Sequence, residues 1–236
     1  MQRINSEGYE LEIEKIQASK DVMAGEGKLF IRENARPILL AFCFALFNQL
    51  SGINAIIYYA PRVFEMAGLG SQSSLLSTVG IGVINFIFTL VAINFIDKVG
   101  RKKLMLVGSI GLIISLALVS QAFYTGQTTG FAITIYLMSF IAFFAFSQGA
   151  VIWVFISEIF PNDVRAKGQT FGSLTHWVMA AIITFCFPAL TEVLGGGGTF
   201  LTFALFMVLQ LVYVLKFMPE TKGRSLEDMG QTINLH

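Results

Sequence analysis

Charged side chains are scarce in this chain: 15 acidic and 16 basic residues make up 13% of its 236 positions. A water-soluble domain carries roughly 25%, and without that polar cover its apolar residues have nowhere to go. Here 55% of residues are hydrophobic and the mean hydropathy is +0.70, so the excess must face lipid. A net charge of +1 offers no field for a nucleic acid, and none is expected as a partner. Cysteine is nearly missing. Cys43 and Cys186 both sit inside apolar runs, at no metal-motif spacing, and read as small buried hydrophobes. No short apolar segment follows the first basic residues, so residues 1–34 do not form a signal peptide, and Met1 reads as an internal methionine or a late start in a longer protein. Catalytic groupings are absent too: the sequence shows no paired carboxylates, no metal-ligand spacing, no nucleophile beside a base and no phosphate-cradling loop. The glycine run 195–198 reads as a flexible external turn. Neither a cofactor nor an enzymatic activity is expected.

What is present is long apolar segments. Crossing about 30 Å of hydrocarbon takes roughly 20 residues at 1.5 Å each. Six segments qualify, from Arg36 to about Phe64, Leu75 to Ile96, Leu104 to Phe123, Phe131 to Ile156, Gly168 to Leu190 and Phe200 to Phe217. None alternates with period two, so the expected class is all-α and not a barrel. Lys98, Arg101, Lys102 and Lys103 follow the second span, Arg165 and Lys167 the fourth, and Lys216, Lys222 and Arg224 the sixth, while Lys28, Arg32 and Arg36 precede the first. The loops on the other side carry no Lys or Arg, and only Arg62 breaks the pattern. The positive-inside rule then places both termini in the cytoplasm. Residues 1–35 form a cytoplasmic linker, 36–218 the bundle and 219–236 a cytoplasmic tail. A short amphipathic helix is expected over 7–20, and Leu226 and Met229 are possible anchors in the tail.

Polar groups inside the spans demand a reason. Asn48, Gln49, Ser51 and Asn54 fall mid-membrane in the first span, around Gly52 and before Pro61. On a regular helix Gln49 and Asn54 point about 140° apart, so they share a cavity only if the helix breaks near Ser51–Ile53. Ser147, Gln148 and Gly149 precede Trp153 in the fourth span, with Pro161 at its exit. If the six helices are two repeats of three, the first and fourth spans are equivalent, and such a pair of interrupted helices points to a midplane site. Asn85 in the second span and His176-Trp177 in the fifth extend the set. Amides both donate and accept, as sugar hydroxyls do, and an indole face packs on the C–H surface of a sugar. Asn85, Ser147 and Gln148 can equally be interhelical glue, Trp153 and Trp177 packing or interfacial anchors, and His176 a structural residue. No Asp or Glu lies within a span, which leaves this part of the chain without a carboxylate for proton coupling.

Four segments carry a family resemblance: NQLSGINAIIYYAP (48–61), DKVGRKK (97–103), WVFISEIFPNDVRAKG (153–168) and PETKGRSLEDM (219–229). In this order they resemble the sugar porter family of the major facilitator superfamily, from about residue 36 onward. The resemblance implies a twelve-helix fold built of inverted three-helix repeats, with this chain as its C-terminal half. It implies alternating access around a monosaccharide, in the plasma membrane, opposite an N-terminal six-helix half. By motif position Gln49, Asn54 and Asn85 resemble sugar-binding amides, with Asn48 standing where the family commonly has glutamine, and Gly149 and Trp153 belong to the tenth-helix motif. His176, beside Trp177, stands where an amide is usual. Tyr58 and Tyr59 resemble the outer gate. Asp97, Arg101, Glu158, Arg165 and Glu220 belong to motifs that resemble the charge network holding the two halves together. Ala150 replaces a common proline. The resemblance leaves a non-transporting sugar receptor and a truncated fragment as alternatives.

Overall fold

Only a helix or a closed barrel satisfies its own backbone in lipid, and the computed structural model, which describes residues 27–126 and 130–223, is helical with no strand among them. The helix expected over 7–20 and the anchors Leu226 and Met229 lie outside the described residues. At the described end of the linker, Asn34 Nδ2 donates to the carbonyls of Lys28 and Leu29 at 3.2 Å each. Lys167 Nζ donates to the Gly27 carbonyl at 2.7 Å, which ties this segment to the start of the fifth span.

The first span is built in three pieces, α1 (Ala35–Leu50), α2 (Ile53–Tyr58) and α3 (Ala60–Met66). The break after α1 requires glycine, because Gly52 sits at φ +82°, a left-handed conformation that side chains with a Cβ resist. Ser51 repairs part of the interrupted ladder: its Oγ donates to the Asn48 carbonyl at 2.6 Å and accepts the Ile53 N–H at 3.3 Å. Pro61 lies in the first turn of α3, where its missing N–H costs nothing. The second and third spans are uninterrupted, α4 (Ser71–Val99) and α5 (Arg101–Thr125). The fourth runs through α6 (Gly130–Phe144), a π-helical turn over Ala145–Gly149, and α7 (Ala150–Ile159).

The fifth and sixth spans together make up α8 (Arg165–Phe217), 53 residues that form two helical arms meeting at Gly195. As a straight rod it would be about 80 Å long, far beyond a bilayer. Gly195, at φ 66° and ψ 175°, folds it back on itself. Phe187 and Phe203 would lie about 24 Å apart on one helix, yet their rings stack at 6.3 Å. The glycine run expected to be a flexible turn is therefore mostly ordered helix. Gly196 and Gly197 pack so close to Phe123 and Tyr124 that an added Cβ would lie 2.8 Å and 3.0 Å from those rings.

Buried apolar side chains form two clusters, one including Ile53, Phe64, Leu112, Phe140, Phe200 and Phe203, the other Leu40, Phe44, Leu104, Phe155 and Val214. Along the first, fourth and sixth spans the passage from one cluster to the other runs through buried amides: Asn48 and Gln49, Gln148, and Gln210. Glycines let the π turn bed down beside this layer. A Cβ on Gly108 would lie 1.8 Å from Ser147 Oγ, and one on Gly111 would lie 2.3 Å from the Phe143 ring.

Replacing Gly52 with alanine should lower stability by about 1–3 kcal/mol, since the new Cβ would meet Phe203 at 2.5 Å in a left-handed backbone. Gly82→Ala, which meets nothing within 4 Å, should be neutral or stabilising. Melting temperatures of the two variants in one detergent check the contrast.

Candidate binding site

The two helix interruptions face one cavity. Its volume is about 310 Å³, and Asn48, Gln49, Asn54, Asn85, Gly149, Trp153, His176 and Trp177 all line it. The break at Ser51–Gly52 brings Gln49 and Asn54 to the same space, which a continuous helix would not do. Thr89, one turn beyond Asn85, completes the polar lining, and Ile53, Ile57, Phe144, Ala145 and Ile152 form apolar walls. No Asp, Glu, Lys or Arg is among the lining residues.

Gln49 is the hub of the polar contacts. Its side chain is 1% exposed, and its Nε2 lies 3.2 Å from Asn48 Oδ1, 3.0 Å from His176 Nε2 and 3.3 Å from His176 Nδ1. Asn48 Nδ2 donates to the Gln148 carbonyl at 3.4 Å, joining the first break to the π turn. The His176 ring stands between two indoles, with centroids 4.8 Å from Trp153 and 5.1 Å from Trp177. Trp153 is thus cavity lining despite lying about one turn from Glu158. Gln49 Oε1 and Asn54 Nδ2 are buried and have no hydrogen-bond partner, an unusual state for buried polar atoms in a folded chain.

Gln148 turns away from the cavity. Its Nε2 donates to Gln210 Oε1 at 2.7 Å and lies 3.4 Å from Met207 Sδ, so it acts as glue between the fourth and sixth spans. Sequence reasoning missed Gln210 and Thr89. The signal for Gln210 was present, as a solitary amide in an otherwise apolar span, and Thr89 follows Asn85 by one helical turn. Tyr58 and Tyr59 lie outside the main cavity. Tyr58 is exposed, and Tyr59 stacks on Phe187 at 5.3 Å and lines a second cavity with Arg62, Pro188 and Glu192.

The charged residues gather at the other end of the bundle. Arg101 holds Glu158 by two bonds, Nη2 to Oε1 at 2.7 Å and Nε to Oε2 at 3.2 Å, and pairs with Asp97 at 2.9 Å. Glu220 caps the start of α5, its carboxylate accepting the backbone N–H groups of Arg101 at 2.9 Å and Lys102 at 3.1 Å. Thr221 Oγ1 donates to Glu158 Oε2 at 2.6 Å. Arg165 stands apart and forms no ion pair among the described residues. Its Nη2 reaches the Phe160 carbonyl at 3.4 Å, while Glu158 and Asp97 are already engaged by Arg101.

Comparison with known proteins agrees with this architecture. The family model described as "Sugar (and other) transporter" matches residues 2–232. The glucose transporter GlcP of Staphylococcus epidermidis is 42% identical over 195 residues, which is 81% of this chain and 44% of that protein. The arabinose-proton symporter of Bacillus subtilis is 36% identical over 230 residues, 96% of this chain and 50% of that protein. Among solved structures, the xylose transporter XylE from E. coli in an inward-open conformation superimposes with a TM-score of 0.78 at 33% identity, over 94% of this chain and 46% of that one. The chain spans about half the length of the curated relatives it matches. With the family match covering nearly every residue and the helical architecture shared, the chain belongs to the sugar porter family of the major facilitator superfamily.

Proposed function

We propose that this chain is the C-terminal half of a monosaccharide transporter that works by alternating access, and that the cavity around Gln49 is its sugar site. One observation carries the reading: eight side chains and backbone positions from four spans, all amide, imidazole, indole or glycine, converge on a single uncharged cavity. Its volume of about 310 Å³ falls at the lower end of the range for small-molecule sites. A neutral polyhydroxyl ligand matches it in both parts, with hydroxyls for the amides and C–H faces for Trp153 and Trp177. The named transport activities of the relatives support the same ligand class.

In this reading residues 1–35 link the two halves, 36–218 form the bundle and 219–236 the cytoplasmic tail. The missing partner is an N-terminal six-helix half that closes the other side of the cavity in the plasma membrane, with both termini cytoplasmic. Tyr58 and Tyr59 close over the sugar from outside. The Arg101 network biases the balance between the inward- and outward-facing packings, because charge pairs that form in one packing only shift the population toward it.

The direct test is uptake of labelled D-glucose, D-xylose and L-arabinose into vesicles containing the native protein. Accumulation is the expected result. Binding without accumulation would make the protein a receptor, and neither would remove the sugar site altogether. Gln49→Ala should weaken binding of the preferred sugar by about 1–3 kcal/mol, measured by titration calorimetry, and unchanged affinity would take Gln49 out of the site. Arg101→Ala should shift which side of the cavity is open to cysteine-directed labels while leaving the intrinsic sugar affinity largely as it was. An unaltered labelling pattern would exclude the conformational role.

A further inference from the structure

The geometry points to Gln210 as a positioning residue: the sixth span supplies none of the cavity lining, yet Gln210, acting through Gln148, fixes the π turn that presents Gly149 and Trp153 to the ligand. The inference rests on the reading of this cavity as a sugar site. A π turn holds one residue more than the α-helical turn it replaces, and one residue is worth about 100° of rotation about a helix axis. The turn over Ala145–Gly149 therefore sets how α7 is rotated relative to α6. In that rotation Ala145, Gly149 and Trp153 line the cavity.

Toward the third span the turn is fitted by shape, with Ser147 and Phe143 lying where a Cβ on Gly108 or Gly111 would be. Toward the sixth it is held by a directed bond. Gln148 Nε2 donates to Gln210 Oε1 at 2.7 Å, and Met207 Sδ lies 3.4 Å from the same amino group. Both glutamines are buried. The backbone carbonyl of Gln148 accepts Asn48 Nδ2 at 3.4 Å, and Asn48 is part of the cavity lining. Through its side chain and its backbone, Gln148 joins a helix behind the cavity to an amide inside it.

The pair is a poor stabiliser. Its single bond leaves Gln148 Oε1 and Gln210 Nε2 buried without partners, and an orphaned buried polar atom carries its full desolvation cost. Two apolar side chains of the same length would leave no orphan, and such a replacement of both partners is close to neutral or stabilising. Direction is what an apolar pair cannot supply. Apolar contact in lipid gives little preference for one rotation over another, whereas a hydrogen bond weakens steeply as its angle closes. The Gln148–Gln210 bond contributes the orientation of the turn and little net stability.

The test compares the native protein with Gln148→Met, Gln210→Met and the double substitution. Each is measured for melting temperature and for affinity toward whichever of D-glucose, D-xylose and L-arabinose binds most strongly. Each single variant leaves one buried amide without its partner and should melt below the wild type. The double variant, with neither amide left, should return to the wild-type temperature or exceed it. Affinity should follow a different order. All three variants should bind about fivefold more weakly, a loss the size of one hydrogen bond, and the double variant should not recover. Recovery of affinity in step with melting temperature would reduce the pair to packing and overturn the inference while leaving the sugar site standing. A double variant that no longer folds would overturn it as well, because the pair would then be needed for stability. A sugar-free measurement keeps this role apart from the sugar site: deuterium exchange at the backbone amides of residues 145–153 should rise in the double variant and stay unchanged in the third span. If the native protein binds no sugar, the sugar site falls and this contrast alone decides whether Gln210 holds the turn. Equal exchange in the two proteins would overturn the inference whatever the affinities.

Discussion

A backbone N–H or C=O that faces hydrocarbon has no water to bond to, and this constraint governs every departure from regular helix in the bundle. Interruptions are tolerated only where other groups or a cavity receive the freed backbone. At Ser51–Gly52 the serine hydroxyl takes up one carbonyl and offers an acceptor to one N–H. At Ala145–Gly149 the π turn keeps its ladder in a wider register, a geometry often found at functional positions. Both interruptions border the same cavity. The helix breaks and the polar site are therefore one feature: the break exposes the amides to the cavity, and the cavity makes the break affordable.

The buried amides also organise the packing. Asn48, Gln49, Gln148 and Gln210 lie between two apolar clusters, and hydrogen bonds from Asn48 to the Gln148 carbonyl and from Gln148 to Gln210 connect the first, fourth and sixth spans, with Gln49 packed against His176 of the fifth. In lipid such interhelical bonds add order where apolar contact alone gives little preference for one neighbour over another. The layer is incompletely satisfied, with Gln49 Oε1, Asn54 Nδ2, Gln148 Oε1 and Gln210 Nε2 lacking partners. Gln49 and Asn54 are the two of these that line the cavity, and Gln148 and Gln210 pack behind it.

Much of this was legible in the residues. The six apolar segments needed only length and hydropathy, and the break in the first span followed from the impossibility of Gln49 and Asn54 sharing a face across an intact helix. The residues gathered at the cavity were those whose polarity is costly in lipid. Contacts that depend on the rotation of a helix about its axis were not legible. Gln148 and Gly149 are neighbours in sequence, yet one turns to the sixth span and the other to the cavity, and the sequence gives no sign of where the π turn redirects them. Arg165 lies in a recognisable charged motif beside Glu158, but the geometry of Arg101 occupies that carboxylate first. The glycine run after Leu194 has a composition typical of flexible turns, and only its packing against Phe123 and Tyr124 explains why a single residue, Gly195, makes the reversal.

The contacts made by Glu220 and Thr221 carry a mechanical consequence. Through them the segment after the sixth span is bonded to the first amides of the third helix and to the carboxylate at the end of the fourth, while Arg101 fastens that same carboxylate to the end of the second. Four helix ends, drawn from three separate stretches of the chain, are thus pinned at one small junction. A bundle pinned in this way transmits torque, because its helices cannot slide past one another at that end. Bending is then left to the interrupted helices at the level of the cavity, so the compliant part of the bundle is the layer that carries the amides.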